Sequence, residues 1–491
     1  MSSNYKTLLM SFAAALAVSG CGGGADRVAS PGEGAFPPPP VVAPPPPPPP
    51  PVAPPPTGGP AAECPAGFAN VGTVANATLR ACQLPQTIVG NLTVPARAGT
   101  VYAISGRVDI GQDQGGDVNA PRAGAQRGVL TIEPGVRLFG SAGLDYIVLN
   151  RGSQIFAEGT QTNPILFTSR QGIEGQTNAD SIGQWGGLVM LGRAPIANCP
   201  GTAVPGSASC ESQVEGTNAF YGGNSPSDNS GRFRFVQVKH SGFVIIANNE
   251  LNGITLAGLG NGTTFEYVQV HNSSDDGFEW FGGTVNGRYL VATGNDDDSF
   301  DTDVGFTGAV QFGIAVQRPN GGDRNNEMSS AGQQTVRPSN PRFANITYVG
   351  RAGGGAGIVM NSGTNSQFYN TVVTRPTGGT GAGAACLDVD DSTTTGSFNS
   401  VYFSCPTAFD DDVNGQAAAL FNAGTNNVSN GTSTLTGTFI NGANESALPA
   451  FATLPTVNPF FRQVSYIGGV QNAADTWYQG WTCGLVAGSN C

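Results

Sequence analysis

The chain of 491 residues carries 72 Gly and 35 Pro but only 11% charged residues, with a net charge of −12. Few strong helix formers among many turn formers point to an all-β protein with tight corners. The negative charge, with Lys239 the only lysine after residue 6, excludes nucleic acid or an anionic membrane surface as an electrostatic partner.

Residues 1–20 read as an export signal. Lys6 supplies the positive start, and Leu8 to Val18 form an apolar core too short to span a bilayer. The end of this segment, Val18-Ser-Gly-Cys21, resembles the lipobox of bacterial lipoproteins. The resemblance implies that Cys21 is acylated and becomes the new N-terminus, each buried methylene adding about 0.8 kcal/mol of membrane affinity. By the same resemblance, Gly22 after the cysteine implies the outer membrane, facing either the periplasm or the outside. Residues 21–62 then form a lipidated linker with prolines at 37–40, 44–51 and 54–56. Such a run lacks a packed core and extends at about 3.1 Å per residue as a disordered, semi-rigid stalk.

Beyond Cys21 the eight remaining cysteines fall into close pairs: Cys64 with Cys82, Cys199 with Cys210, Cys386 with Cys405, and Cys483 with Cys491. An even set of this kind reads as four local disulfides in an oxidising, extracytoplasmic space. Residues 63–98 are expected to be a small preface closed by Cys64–Cys82. Residues 197–231 and 319–340, rich in Gly, Ser and Asn, are expected to be loops inserted into a regular body spanning 99–450. Residues 451–491, with Trp477, Trp481 and the last cysteine pair, are expected to cap its open end.

Within that body the sequence repeats. Tyr267-Val-Gln-Val-His271 and the residues to Phe281 align with Tyr289 to Asp303 at a constant offset of 22, and Phe235-Val-Gln-Val-Lys239 opens an earlier copy. Self-similarity at a period of roughly 20 to 30 residues marks a solenoid, whose units bury their apolar sides by stacking. Apolar and polar residues alternate inside each copy, so the unit is built of strands. Later segments at Phe312, Phe343, Phe368 and Phe398 each open a further strand on a phenylalanine.

The repeat, together with Leu130-Thr-Ile-Glu-Pro-Gly135, Arg151-Gly-Ser-Gln-Ile-Phe-Ala-Glu-Gly-Thr160, Pro164-Ile-Leu-Phe-Thr-Ser169, Trp185-Gly-Gly-Leu-Val189 and Asp275-Asp-Gly-Phe-Glu-Trp-Phe-Gly-Gly283, resembles the right-handed parallel β-helix. This is the fold of pectate lyases and related carbohydrate enzymes. The nearer resemblance is to a widespread group of secreted bacterial proteins. It implies the fold and export, and it brings no catalytic residue with it.

The repeat also stacks carboxylates. Asp275 and Asp276 should lie one coil from Asp297 and Asp298, about 4.8 Å away. Such acids must either hold protons at raised pKa values or share a cation. Oxygen donors on turns suit Ca2+, and a hydrated acidic face is the plainer alternative. In the next strand Phe278, Trp280 and Phe300 should point inward, leaving Glu279, Asp301 and Asp303 as a second acidic stripe. Lys239 aligns with His271, so an enzyme reading places a base beside these acids, as in polysaccharide lyases or hydrolases of this fold. No Gly-x-Ser-x-Gly elbow or Walker sequence occurs, and two histidines leave little scope for zinc or haem. The expectation is a lipid-anchored β-helix of the cell envelope that binds a glycan or another envelope component. A polysaccharide-cleaving enzyme and an adhesin are the alternatives.

Overall fold

Strands that alternate apolar with polar residues can bury one side only if the chain winds round a common interior, each strand pairing with the coils before and after it. The computed structural model describes residues 58–246, 249–376, 384–410, 413–489 and 491. Its body is two long sheets of fifteen and eleven strands, every pairing parallel except at the first strand. This is a parallel β-helix. The export signal, Cys21 and the proline runs at 37–40, 44–51 and 54–56 lie outside the described residues.

The larger sheet is bent along its length. Strand Gly231–Lys239 shows the bend: its first half pairs with Gln154–Glu158 and its second with Ile165–Ser169. Between the halves Phe235 adopts φ 50°, and the equivalent Tyr267, Tyr289, Phe312, Asn345, Asn370 and Ser400 all have positive φ. A left-handed residue other than glycine costs roughly 1–2 kcal/mol. The aromatic members offset this by stacking on one another at 4.5, 4.4 and 4.9 Å between ring centres. Asn tolerates the conformation through its short polar side chain.

Register confirms the repeat: Val268 pairs with Leu290, Phe278 with Phe300, and Lys239 with His271. The phenylalanines that open the later segments divide into two positions. Phe312 lies on the outer corner, whereas Phe343, Phe368 and Phe398 stack inside the core at 5.4 and 5.3 Å. Trp185 and Trp280 are core residues, and the Trp185 indole N–H donates to the Lys239 carbonyl at 2.8 Å. All four disulfides form the pairs that the spacing predicts.

Four segments differ from expectation, and the first is 319–340, which is not only a loop because its residues Asn326–Met328 form a strand of the eleven-stranded sheet. Residues 63–98 are less a preface than the first coil, because Leu79–Gln83 pairs in parallel with Thr100–Ala103 and Ala69–Val74 covers its free edge. Residues 197–230 lie against the outer side of the eleven-stranded sheet, where Val214, Ala219 and Tyr221 bury Val148, Val189 and Leu191. The C-terminal segment does not cap the stack. Helix Gln416–Asn422 does so, setting Phe421 against Phe398 and Phe403.

Residues 451–489 instead run back along the outside of the bent sheet. Two glutamines grip this strap through its backbone. Gln311 accepts from the Arg462 N–H and donates to its carbonyl, and Gln269 does the same to Cys483. Val470, Tyr478 and Trp481 bury Val291, Ile314 and Val316, outward residues that would otherwise face water. Trp481 is buried edge-on to Phe235 and Tyr267. Replacing Trp481 with Ala should therefore cost about 3–5 kcal/mol, read as a lowered denaturation midpoint. An unchanged midpoint would show that the strap adds nothing to the fold.

Candidate cation site on the eleven-stranded sheet

The site begins at the corner that carries each coil from the bent sheet to the eleven-stranded one. There Asn252, Asp276 and Asp298 occupy one position in successive coils. The Asp276 N–H donates to Asn252 Oδ1 at 3.2 Å, the Asp298 N–H to Asp276 Oδ1 at 2.9 Å, and the Arg324 N–H to Asp298 Oδ1 at 2.7 Å. One oxygen of each side chain thus ties its coil to the next. These aspartates are part of the scaffold as well as of the acidic surface.

Just after the corner, Glu279, Asp301 and Glu327 pair side by side on adjacent strands. Two groups of three acids result, with one ligand oxygen from each member within 4.8 Å of the others. They are Asp275, Asp276 and Asp297, and Asp276, Glu279 and Asp301. Asp276 belongs to both. Asp298, 2% exposed, joins neither group. Asp303 Oδ1 holds the turn after its strand, accepting from the Val304 and Ala331 N–H groups at 2.6 and 2.8 Å, while its charge still bears on Glu279 and Asp301.

Two further acids come from insertions. Glu215 belongs to the loop between coils, and Glu250 to the hairpin formed by Phe243–Ile246 and Asn249–Leu251. The Asn252 amide donates to Glu279 and, at 3.4 Å, to Glu215. Neither glutamate lies within the repeat, so nothing in the sequence pattern points to them. Glu327 was within reach of the pattern, one coil past Asp301.

Burial first, and then the Asp297, Glu215 and Glu250 charges, push the Asp275 carboxyl up to about 8. Burial first also lifts Glu215 to about 7 and raises Asp276, Glu279, Asp298 and Asp301 well above the carboxylate range. The positive charge in reach is Arg324, already paired with Asp323 and, at 3.3 Å, with Glu327. Asp301 Oδ1 is buried without a hydrogen-bond partner. A set of this kind can share protons or surround a hard cation with oxygen atoms.

Lys239 and His271 are elsewhere. They are neighbours in register, but they lie on the bent sheet under the strap. The Lys239 ammonium donates to the Cys491 carbonyl at 2.7 Å, and His271 Nδ1 pairs with Thr293 Oγ1 at 2.8 Å. Burial lowers Lys239 to about 8 and His271 well below its ordinary value. The expected base above the acidic stripe is therefore not formed. The turn at 272–277 separates the two sets by carrying the chain round a corner to another sheet.

The family model for the pectate-lyase-like β-helix domain matches residues 104–482. The chain belongs to this family. Searches of curated proteins and of solved structures give no match. Membership of the pectate-lyase-like family suggests a carbohydrate-related or surface role, without a specific activity.

Two tests follow from the geometry. Carboxyls whose folded pKa is raised resist ionisation more when folded than when unfolded, so the native state holds more protons. Without divalent cations, stability should fall as pH climbs from the ordinary values of 3.8 and 4.5 through about 7 to about 8. Melting temperatures in chelator across that window check this, and a flat profile would remove the electrostatic account. Asp298→Asn keeps the acceptor for Arg324 and should hold or raise stability, whereas Asp298→Ala should cost about 1–3 kcal/mol in a denaturant titration.

Proposed function

We propose that this protein is a calcium-braced β-helix of the bacterial outer membrane, held by acylated Cys21 and presenting its sheet surface to a glycan. The observation that carries this reading is Asp276, shared by two three-acid groups whose Asp275 and Glu279 stand beside acids from inserted segments. Ca2+ takes about six to eight oxygen ligands in flexible geometry, and carboxylates on turns and strand ends supply them. Asp275 and Asp297 lie at the more exposed side of the cluster. An ion held there keeps positions open for glycan hydroxyl or carboxylate oxygens. The lipobox-like Val18-Ser-Gly-Cys21 and the proline-rich stretch support attachment at the envelope, where the same surface would also serve an adhesin.

One observation favours a second reading. Asp276, Glu279 and Asp301 bring oxygens within 4.8 Å of one another, and buried acids that share protons can act as acid and base in glycoside hydrolysis. A lyase mechanism loses its base to the strap.

Calorimetry with Ca2+ on the metal-free protein separates the readings. Saturable binding should appear, and Ca2+ at one hundred times its Kd should add about 2.7 kcal/mol of stability. Asp275→Asn with Asp297→Asn should weaken binding at least tenfold and abolish calcium-dependent retention on acidic polysaccharide. No calcium binding, with reducing ends released by the wild type and lost in Glu279→Gln, would replace the binding module with the hydrolase.

A further inference from the structure

Far from the acids in sequence, the first coils leave a cleft of about 320 Å3 at the outer corner of the bent sheet. In later coils that corner is one left-handed residue. In the first three it is a longer loop, at 95–99, 133–136 and 159–164, and the splayed loops make the space. Pro95, Arg97, Thr100, Pro134, Arg137 and Asn163 line it. The volume falls at the low end of small-molecule sites, which run from about 300 to 1,000 Å3.

The arginines set this cleft apart. Those elsewhere among the described residues hydrogen-bond to a carboxylate, carbonyl, hydroxyl or amide or form an ion pair, as Arg151 does with Asp113, Arg375 with Gly354 and Arg234 with Glu266. Arg97 and Arg137 have no side-chain hydrogen bond or ion pair among the described residues, and both face the same cleft. Arg137 stands on strand Arg137–Gly140, partly buried, and desolvation lowers its pKa without an acid to oppose it. The hydroxyl of Thr100, a residue 7% exposed, is also buried without a partner. Neighbouring polar groups are already engaged: the Glu133 carboxylate accepts from the Ala96 N–H at 2.8 Å, and the Tyr102 hydroxyl donates to the Pro95 carbonyl at 2.6 Å. A buried hydroxyl left unpaired is unfavourable, and a ligand that pairs with it recovers that loss. Guanidinium groups match carboxylate and phosphate oxygens in geometry and charge.

We propose that this cleft is an oxyanion site for a small polar ligand bearing one carboxylate or phosphate, gripped by Arg97 and Arg137 and oriented by the Thr100 hydroxyl. The site is independent of the cation cluster, so it is tested in chelator. The full exported chain is titrated calorimetrically with inorganic phosphate, gluconate and glucose. Saturable binding of phosphate or gluconate, with none of glucose, is expected, and the anion that binds names the source. Arg137→Gln and Arg97→Gln should each weaken binding at least tenfold with an unchanged circular dichroism spectrum. Thr100→Val, close in shape, should weaken binding severalfold while leaving the melting temperature level or higher. No saturable anion binding, equal binding of glucose, or affinity unmoved by both arginine variants would overturn the proposal.

Discussion

Parallel pairing from coil to coil in fixed register is the constraint on which this structure depends. A residue's nearest neighbour is the one at the same position a turn away, so each side chain meets copies of its own kind. For aromatic side chains this repetition is favourable, and the corner rings from Phe235 to Phe312 stack despite their left-handed backbone. For acids it is costly. Two unit charges 4 Å apart at an effective dielectric of 20 repel by about 4 kcal/mol, so a stack of carboxylates persists only where something offsets it. The ladder from Asn252 through Asp276 to Asp298 offsets part, because backbone N–H groups of the next coil donate into it.

The winding was legible from the chain because register preserves sequence offset. Phe278 over Phe300 and Glu279 over Asp301 follow from the offset alone, and so does the inward Trp280. What the offset does not encode is which wall a position occupies. Lys239 and His271 are neighbours as aligned, but one turn of chain places them on another sheet from the acids, beneath a covering segment. Likewise the period is blind to what is inserted between coils. Glu215 and Glu250 enter the acidic cluster from segments without a repeat, and the strap contacts coils more than 200 residues upstream, as Cys483 does Gln269.

The strap also explains why its own position was hidden. A terminal cap would be recognised by apolar residues facing one open end. Here Trp477 and Trp481 instead answer the rings of Tyr289, Tyr267 and Phe235 along a flank. Their partners are outward-facing residues that read as solvent-exposed in an isolated strand. The open end needed only one short helix, since Phe421 reaches the core rings of Phe398 and Phe403 and the half-buried Phe409 at once.

Covering elements decide where ligands can approach. The inserted loop shields the outer side of the eleven-stranded sheet in its early coils, and the strap shields the second half of the bent sheet. Both stop short of particular charged groups. The loop ends its cover at Glu215, beside Asp275 and Glu279, and the strap reaches Gln161 through Gln479 without occupying the cleft of Arg97 and Arg137. A fold that buries so much of its outer surface concentrates its electrostatic free energy where, among the described residues, like charges gather, as they do in the acidic cluster and at Arg97 and Arg137. Ligands of opposite charge gain most there, because the covered members, Asp276 and Arg137 among them, were desolvated when the chain folded.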